Sequence, residues 1–112
     1  MRTMSKSSTT IKRAPARRIA PVHPGAVLRE DFLKPTGLSQ YALARALGVS
    51  QMRISEIVNE KRAVSPETAL RFARYFGTSA EFWIGIQATY DLETARDRLG
   101  ASIERRIAPR AA

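Results

Sequence analysis

Ser39-Gln40-Tyr41-Ala42-Leu43-Ala44-Arg45-Ala46-Leu47-Gly48-Val49-Ser50-Gln51-Met52-Arg53-Ile54-Ser55-Glu56-Ile57-Val58 spells two short helices joined by a three-residue turn. Ser39 is a good N-cap for a helix over Gln40–Leu47, because its hydroxyl can accept from a free backbone N–H of the first turn. Gly48 ends that helix, since glycine enters the left-handed C-cap conformation without steric penalty. Val49 is left to plug the core. Ser50 caps a second helix from Gln51 to about Asn59, on which Ile54, Ile57 and Val58 share one face by i, i+3, i+4 spacing. The opposite face is polar. Ala44 stands where the two helices cross, and its small side chain permits contact.

Working outward, the pattern is a string of helices. Pro24 suits a first helical turn, with Val27, Leu28 and Phe32 inward and Pro35 expected to stop the helix. Ser65, with Pro66 at the first helical position and Glu67 near the positive end, opens a fourth helix. Its expected buried stripe is Ala69, Leu70, Ala73 and Phe76, and Gly77 closes it. Thr78 with Glu81 reads as a capping box for a fifth helix, whose large aromatic stripe is Phe82, Trp83, Ile86 and Tyr90. The pattern weakens through Ala95 and Leu99. The spacing therefore predicts an all-α, five-helix domain over residues 23–99, with a helical C-terminal extension and a tail over 100–112.

The 112 residues suit one domain. The net charge is +9, and residues 1–22 hold +6 of it as Arg2, Lys6, Lys12, Arg13, Arg17 and Arg18 with no acid. Residues from Gly100 onward add +2, so the body over 23–99 is nearly neutral at +1. Residues 1–22 are Ser/Thr/Arg-rich without apolar periodicity, which predicts a disordered basic arm. Either it adds phosphate contacts or it is a bland solubilising tail. There is no cysteine, which removes disulfides and thiolate metal sites. No apolar run approaches membrane-spanning length and none marks a secretory signal; the expected location is cytoplasmic and nucleoid-associated.

Catalysis finds no support. Gly-x-Ser occurs at Gly37–Ser39, Gly48–Ser50 and Gly77–Ser79, but the second glycine of a nucleophile elbow is replaced by Tyr41, Met52 and Glu81. The repeat is helix punctuation, a turn glycine followed by a capping serine. His23 is the only histidine, so a metal or nucleophilic site would lack partners. No cofactor is expected.

Gln40, Leu43-Ala44, Gly48-Val49-Ser50, Ile54-Ser55 and Asn59 together resemble the helix-turn-helix of the phage repressor and Cro type. His23-Pro24-Gly25, Leu28-Arg29, Phe32-Leu33, Ser65 to Arg71, Phe82-Trp83, Gln87 and Tyr90-Asp91-Leu92 are similar to the HigA antitoxin branch of that superfamily, over roughly residues 23–96. One departure is Glu60, where the family usually has glycine; the other is the long extension before His23.

The resemblance implies a second helix whose N-terminal residues meet base edges in the major groove while the first lies across the backbone. By position, Gln51 would bond adenine N6 and N7, and Met52 would touch a thymine methyl. Ser55 and Glu56 lie one turn on, Glu56 either accepting from cytosine N4 or excluding acceptors. Arg53, at the flank, would reach a guanine or a phosphate. Gln40, Ser50, Lys61 and Arg62 are candidates for phosphate contacts that set register, whereas Arg45, Arg71 and Arg74 read as a solvated face. A single module buries too little surface for strong specificity. A homodimer on a palindromic double-stranded operator is therefore implied, with Phe82, Trp83, Ile86 and Tyr90 as the candidate self-association surface and the alternative that some of these are core. Adjacent on a helix, Phe82 and Trp83 cannot both point the same way.

The resemblance further implies an autorepressor that neutralises a small RelE-like, mRNA-cleaving toxin encoded beside it. Glu30 with Asp31, or Asp91, Glu93 and Asp97, are the candidate acidic docking patches. The alternatives are a stand-alone repressor and a module that only neutralises a toxin; the intact polar face from Gln51 to Asn59 weighs against the latter.

Overall fold

The computed structural model describes residues 20–111; the arm expected over 1–22 lies, up to residue 19, outside the described residues. Among those described there are five helices and no strand. Helix α1 is one helical run, an α-turn Pro24–Val27, a π-helical segment Leu28–Leu33 and a final α-turn Lys34–Thr36. Then come α2 (Gln40–Leu47), α3 (Gln51–Val58), α4 (Pro66–Phe76) and α5 (Ala80–Arg106). No helix among the described residues is long and apolar enough to cross a membrane.

The serines Ser39, Ser50 and Ser65 cap α2, α3 and α4 through their hydroxyl oxygens, as their positions require. Gly37, Gly48 and Gly77 sit at φ of 72°, 72° and 76°, each just past a helix end. Leu28, Leu43, Ile54, Ile57, Phe72 and Trp83 are fully enclosed, one or two from each helix, so all five helices share one core. Its aromatic part packs Phe72 edge-on against Trp83 at 4.8 Å and Phe32, tilted, against Phe76 and Trp83 at 4.7 and 5.1 Å.

Four expectations need correction. Pro35 does not stop α1: it lies in the last turn, and the chain leaves at Gly37. The preceding π-helical segment, with Lys34 N–H bonded to Arg29 O, widens the backbone where the proline ring would otherwise meet the carbonyl four residues back. Leu70 is 63% exposed, and fully buried Phe72 takes its place on the α4 stripe. Ser79 rather than Thr78 caps α5, accepting from Phe82 N–H; Thr78 Oγ1 instead accepts from the Trp83 indole N–H at 2.8 Å. Finally, α5 does not end near Leu99 but runs through Gly100 to Arg106, so there is no boundary between residues 99 and 100.

Residues 23–25 fix α1 against α3. A Cβ on Gly25 would lie 1.7 Å from Ile57 O, so only glycine allows this approach. His23 caps α1 by accepting from Gly25 N–H on Nδ1 at 2.8 Å, and its buried ring takes Tyr90 edge-on at 4.8 Å. Burial holds the His23 pKa below the usual 6.5, against the opposing pull of Glu60 and Asp91. A base whose folded pKa is lowered contributes stability that is complete above the unfolded value and is lost as pH falls through the folded one. Protonation of Nδ1 also removes the acceptor that caps the helix. The thermal midpoint should therefore drop as pH is lowered from 7 through 6 and below, and His23→Asn, which keeps a capping oxygen, should flatten that part of the profile.

Candidate nucleic-acid interface

Helix α3 presents Gln51 and Met52 to solvent, Met52 at 67% exposure, while Ile54, Ile57 and Val58 hold its other side in the core. Ser55 and Glu56 follow, partly exposed, on the next turn. Gln40, half-buried, and Ser50, exposed, stand at the starts of α2 and α3, and Lys61 and Arg62 are exposed just past α3. The Ser50 hydroxyl is occupied as a cap, accepting from Arg53 N–H at 3.1 Å, so its phosphate contact would have to come from the donor side of the hydroxyl or the backbone.

Two of the predicted contacts are joined to each other. Arg62 donates to Glu56 Oε1 at 2.7 Å, so the proposed cytosine acceptor and the proposed phosphate clamp form an ion pair. An incoming phosphate would have to compete for Arg62, and Glu56 would repel any phosphate approaching out of register. Arg53 leans off the flank toward α4, 3.7 Å from Glu67. Glu67 is held below the usual carboxylate range, chiefly by its hydrogen bond from Arg71 and further by the charge of Arg53.

Sequence reasoning missed how α2 and α3 are held. Arg29 donates from Nη1 to Val58 O, the last carbonyl of α3, at 2.6 Å, and from Nη2 to Glu60 Oε2 at 3.3 Å. Arg71, expected on a solvated face, donates from Nη1 to Leu47 O, the last carbonyl of α2, at 2.7 Å. Each helix of the pair thus has its negative end covered by an arginine from a flanking helix. Glu60 adopts φ 62°, the conformation for which glycine is usual, and closes α3 with Glu60 N–H to Ile57 O at 2.9 Å and Lys61 N–H to Glu56 O at 2.8 Å. The turn thus closes with glutamate in the left-handed conformation, and Arg29 pins its side chain. Past it, buried Gln87 accepts from Val64 N–H at 2.8 Å and donates to Asp91 at 2.9 Å, tying the loop after α3 to α5.

On α5, Trp83 has no exposed surface and so leaves the set of candidate self-association residues: its indole fills the core between Phe32 and Phe72. Phe82 is 41% exposed, Ile86 half-buried, and half-buried Tyr90 packs on His23. Phe82 and Ile86 line an open apolar groove with Val22, Val27 and Gly85, edged by Glu81 and Glu93. Of the acidic patches, Glu30 is engaged by Lys34 and Arg29, Asp91 by Gln87 and Glu93 by Arg96. Among the described residues no three His, Asp or Glu converge as metal ligands.

Comparison with known proteins agrees with this geometry. The helix-turn-helix family matches residues 30–83. Virulence-associated protein I of Dichelobacter nodosus is 55% identical over 66% of this chain and 68% of its own. Antitoxin HigA-1 of Vibrio cholerae is 37% identical over 70% of this chain and 73% of its own. The Pseudomonas aeruginosa antitoxin HigA, solved with the higBA promoter, superposes with a TM-score of 0.79 at 46% identity, covering 81% of this chain and 99% of that one. With its helix pair, its flanking helices and the long α5 all accounted for, the chain belongs to the HigA-type antitoxins of the Cro-like helix-turn-helix superfamily.

Proposed function

We propose that the protein is an antitoxin that binds its own promoter DNA and represses its operon, acting as a dimer on a palindromic operator and neutralising a RelE-like mRNA-cleaving toxin encoded beside it. The observation that carries the DNA reading is the exposed Gln51–Met52 start of α3 on a frame that a promoter-bound relative shares almost end to end. Gln51 reads adenine, Met52 a thymine methyl, Ser55 and Glu56 the following base step, and Arg53 a guanine or phosphate. Gln40, Ser50, Lys61 and Arg62 bind phosphates and set register. The toxin half rests on kinship with the antitoxins.

Electrophoretic titration against the chain's own promoter tests the DNA half: a folded protein that gives no shift at moderate salt is not a repressor. Gln51→Ala should cost about 1–3 kcal/mol and relax preference at one base position; an equal loss on every sequence would remove Gln51 from base reading. Co-expression with the neighbouring short reading frame tests the toxin half, and a neighbour that is harmless when expressed alone leaves only the repressor.

A further inference from the structure

Met52 is the one methionine among the described residues; Met1 and Met4 are the others in the chain. It is the second residue of α3 and 67% exposed. Ile54, Ile57 and Val58, which hold α3 in the core, stand about 140–240° around the helix axis from it. The cap of α3 does not involve its side chain either, since Ser50 Oγ accepts from the backbone N–H of Arg53. The chain has no cysteine, and its single tryptophan is fully enclosed. Among the described residues, Met52 is therefore the readily oxidised side chain that solvent reaches.

A peroxide converts such a thioether to a sulfoxide in one two-electron step. The sulfur lone pair forms a bond to the outer peroxide oxygen and the O–O bond breaks. The departing hydroxide takes up the proton that the transferred oxygen carried and leaves as water. Sulfur is oxidised by two electrons and the peroxide is reduced by two. Thiol-dependent sulfoxide reductases reverse the change: the oxygen leaves as water and two thiols become a disulfide.

The product places a polar oxygen where the reduced side chain is apolar. Against a thymine methyl that oxygen is desolvated with no donor facing it, which weakens binding about tenfold or more. The fold is spared, because the modified atom lies on the side of α3 away from the core. Oxidation thus separates DNA affinity from stability, which a change at a buried residue of α3 would lower together.

We infer that Met52 is an oxidation site through which peroxide releases the protein from its operator and sulfoxide reduction restores it. This rests on the reading of Met52 as a contact to a thymine methyl. The test treats the full chain with hydrogen peroxide until peptide mass spectrometry shows one added oxygen on Met52, then titrates it against its own promoter. Operator affinity should fall at least about tenfold, with circular dichroism and thermal midpoint unchanged. It should recover after treatment with methionine sulfoxide reductases of both stereospecificities and dithiothreitol. Met52→Leu, which keeps the apolar contact and retains Met1 and Met4, should hold its affinity through the same peroxide treatment. Untreated Met52→Gln should bind as weakly as the oxidised protein, and excess operator DNA should slow oxygen uptake at Met52. Undiminished affinity with the sulfoxide in place, an affinity loss on oxidation that Met52→Leu shares, or a Met52 that stays intact while free methionine is consumed each overturns the oxidation switch. Untreated Met52→Ala and Met52→Gln that both bind like the wild type would instead overturn the base-reading role of Met52, and the switch with it.

Discussion

Gly25→Ala should destabilise the domain by about 3 kcal/mol, at the upper end of what overpacking costs, and should weaken operator binding further than the loss of folded protein explains. The added methyl would stand 1.7 Å from Ile57 O and 2.8 Å from Ile57 C, both backbone atoms of α3, and 3.0 Å from the capping Nδ1 of His23. No flexible side-chain end is available to move aside. Relief requires α1 to back away from α3, which breaks the His23 cap and the Arg29 contact with Val58 O, or α3 to shift in its seat. Either way the helix carrying Gln51 and Met52 loses its register. For a domain of this size, thermal midpoint falls by about 4–8 °C per kcal/mol, so a drop of more than 10 °C is expected by circular dichroism. Gly37→Ala is the control: its φ of 72° strains an alanine but nothing lies within 4 Å, and the cost should be only about 1–2 kcal/mol with DNA affinity per folded molecule unchanged. Midpoints within about 2 °C of each other would show that the α1–α3 approach is not what makes glycine necessary.

Gly25 also marks where the sequence stops being readable. The ends of α2 and α3 were legible because their signals are local: a serine hydroxyl reaching an N–H three residues on, and a left-handed glycine closing the turn at Gly48. What holds those helices in place is not local. The arginines that cover their last carbonyls are 29 and 24 residues away, and the partner of Gly25 is a carbonyl on another helix; spacing rules that compare neighbours cannot find them. Near misses followed the same logic. Thr78 and Ser79 are both able to cap α5, and the choice fell to Ser79 because Thr78 was needed by the Trp83 indole. Leu70 was misplaced because a stripe can be drawn through either Leu70 or Phe72, and the larger ring filled the space beside Trp83. The candidate DNA-contacting residues follow from family position alone, which does not reveal the ion pair between Arg62 and Glu56.

Trp83 and Phe82 give the second large contrast. Adjacent on α5, they point about 100° apart, and burial assigns them opposite environments: Trp83 is enclosed, while Phe82 is 41% exposed at the groove. Trp83→Ala should cost about 3–5 kcal/mol, since it empties the space between Phe32 and Phe72 and leaves Thr78 without its indole donor. Phe82→Ser should cost less in the monomer, because Phe82 is 41% exposed and its ring meets Phe32 and Trp83 edge-on, at 6.4 and 5.1 Å. Urea titration followed by circular dichroism, needed because Trp83→Ala removes the only tryptophan, should move the Trp83→Ala midpoint down by about 1–3 M. Protein concentration separates the two roles. A core residue lowers stability by the same amount at every concentration, whereas a residue that acts through association loses its effect once the protein is dilute enough to be monomeric. The Trp83→Ala deficit should therefore persist on dilution. Whatever part of a Phe82→Ser deficit comes from association should shrink. A Trp83→Ala deficit that vanished on dilution would mean that this tryptophan's environment is completed by a second chain, and the single shared core described for the five helices would then be wrong.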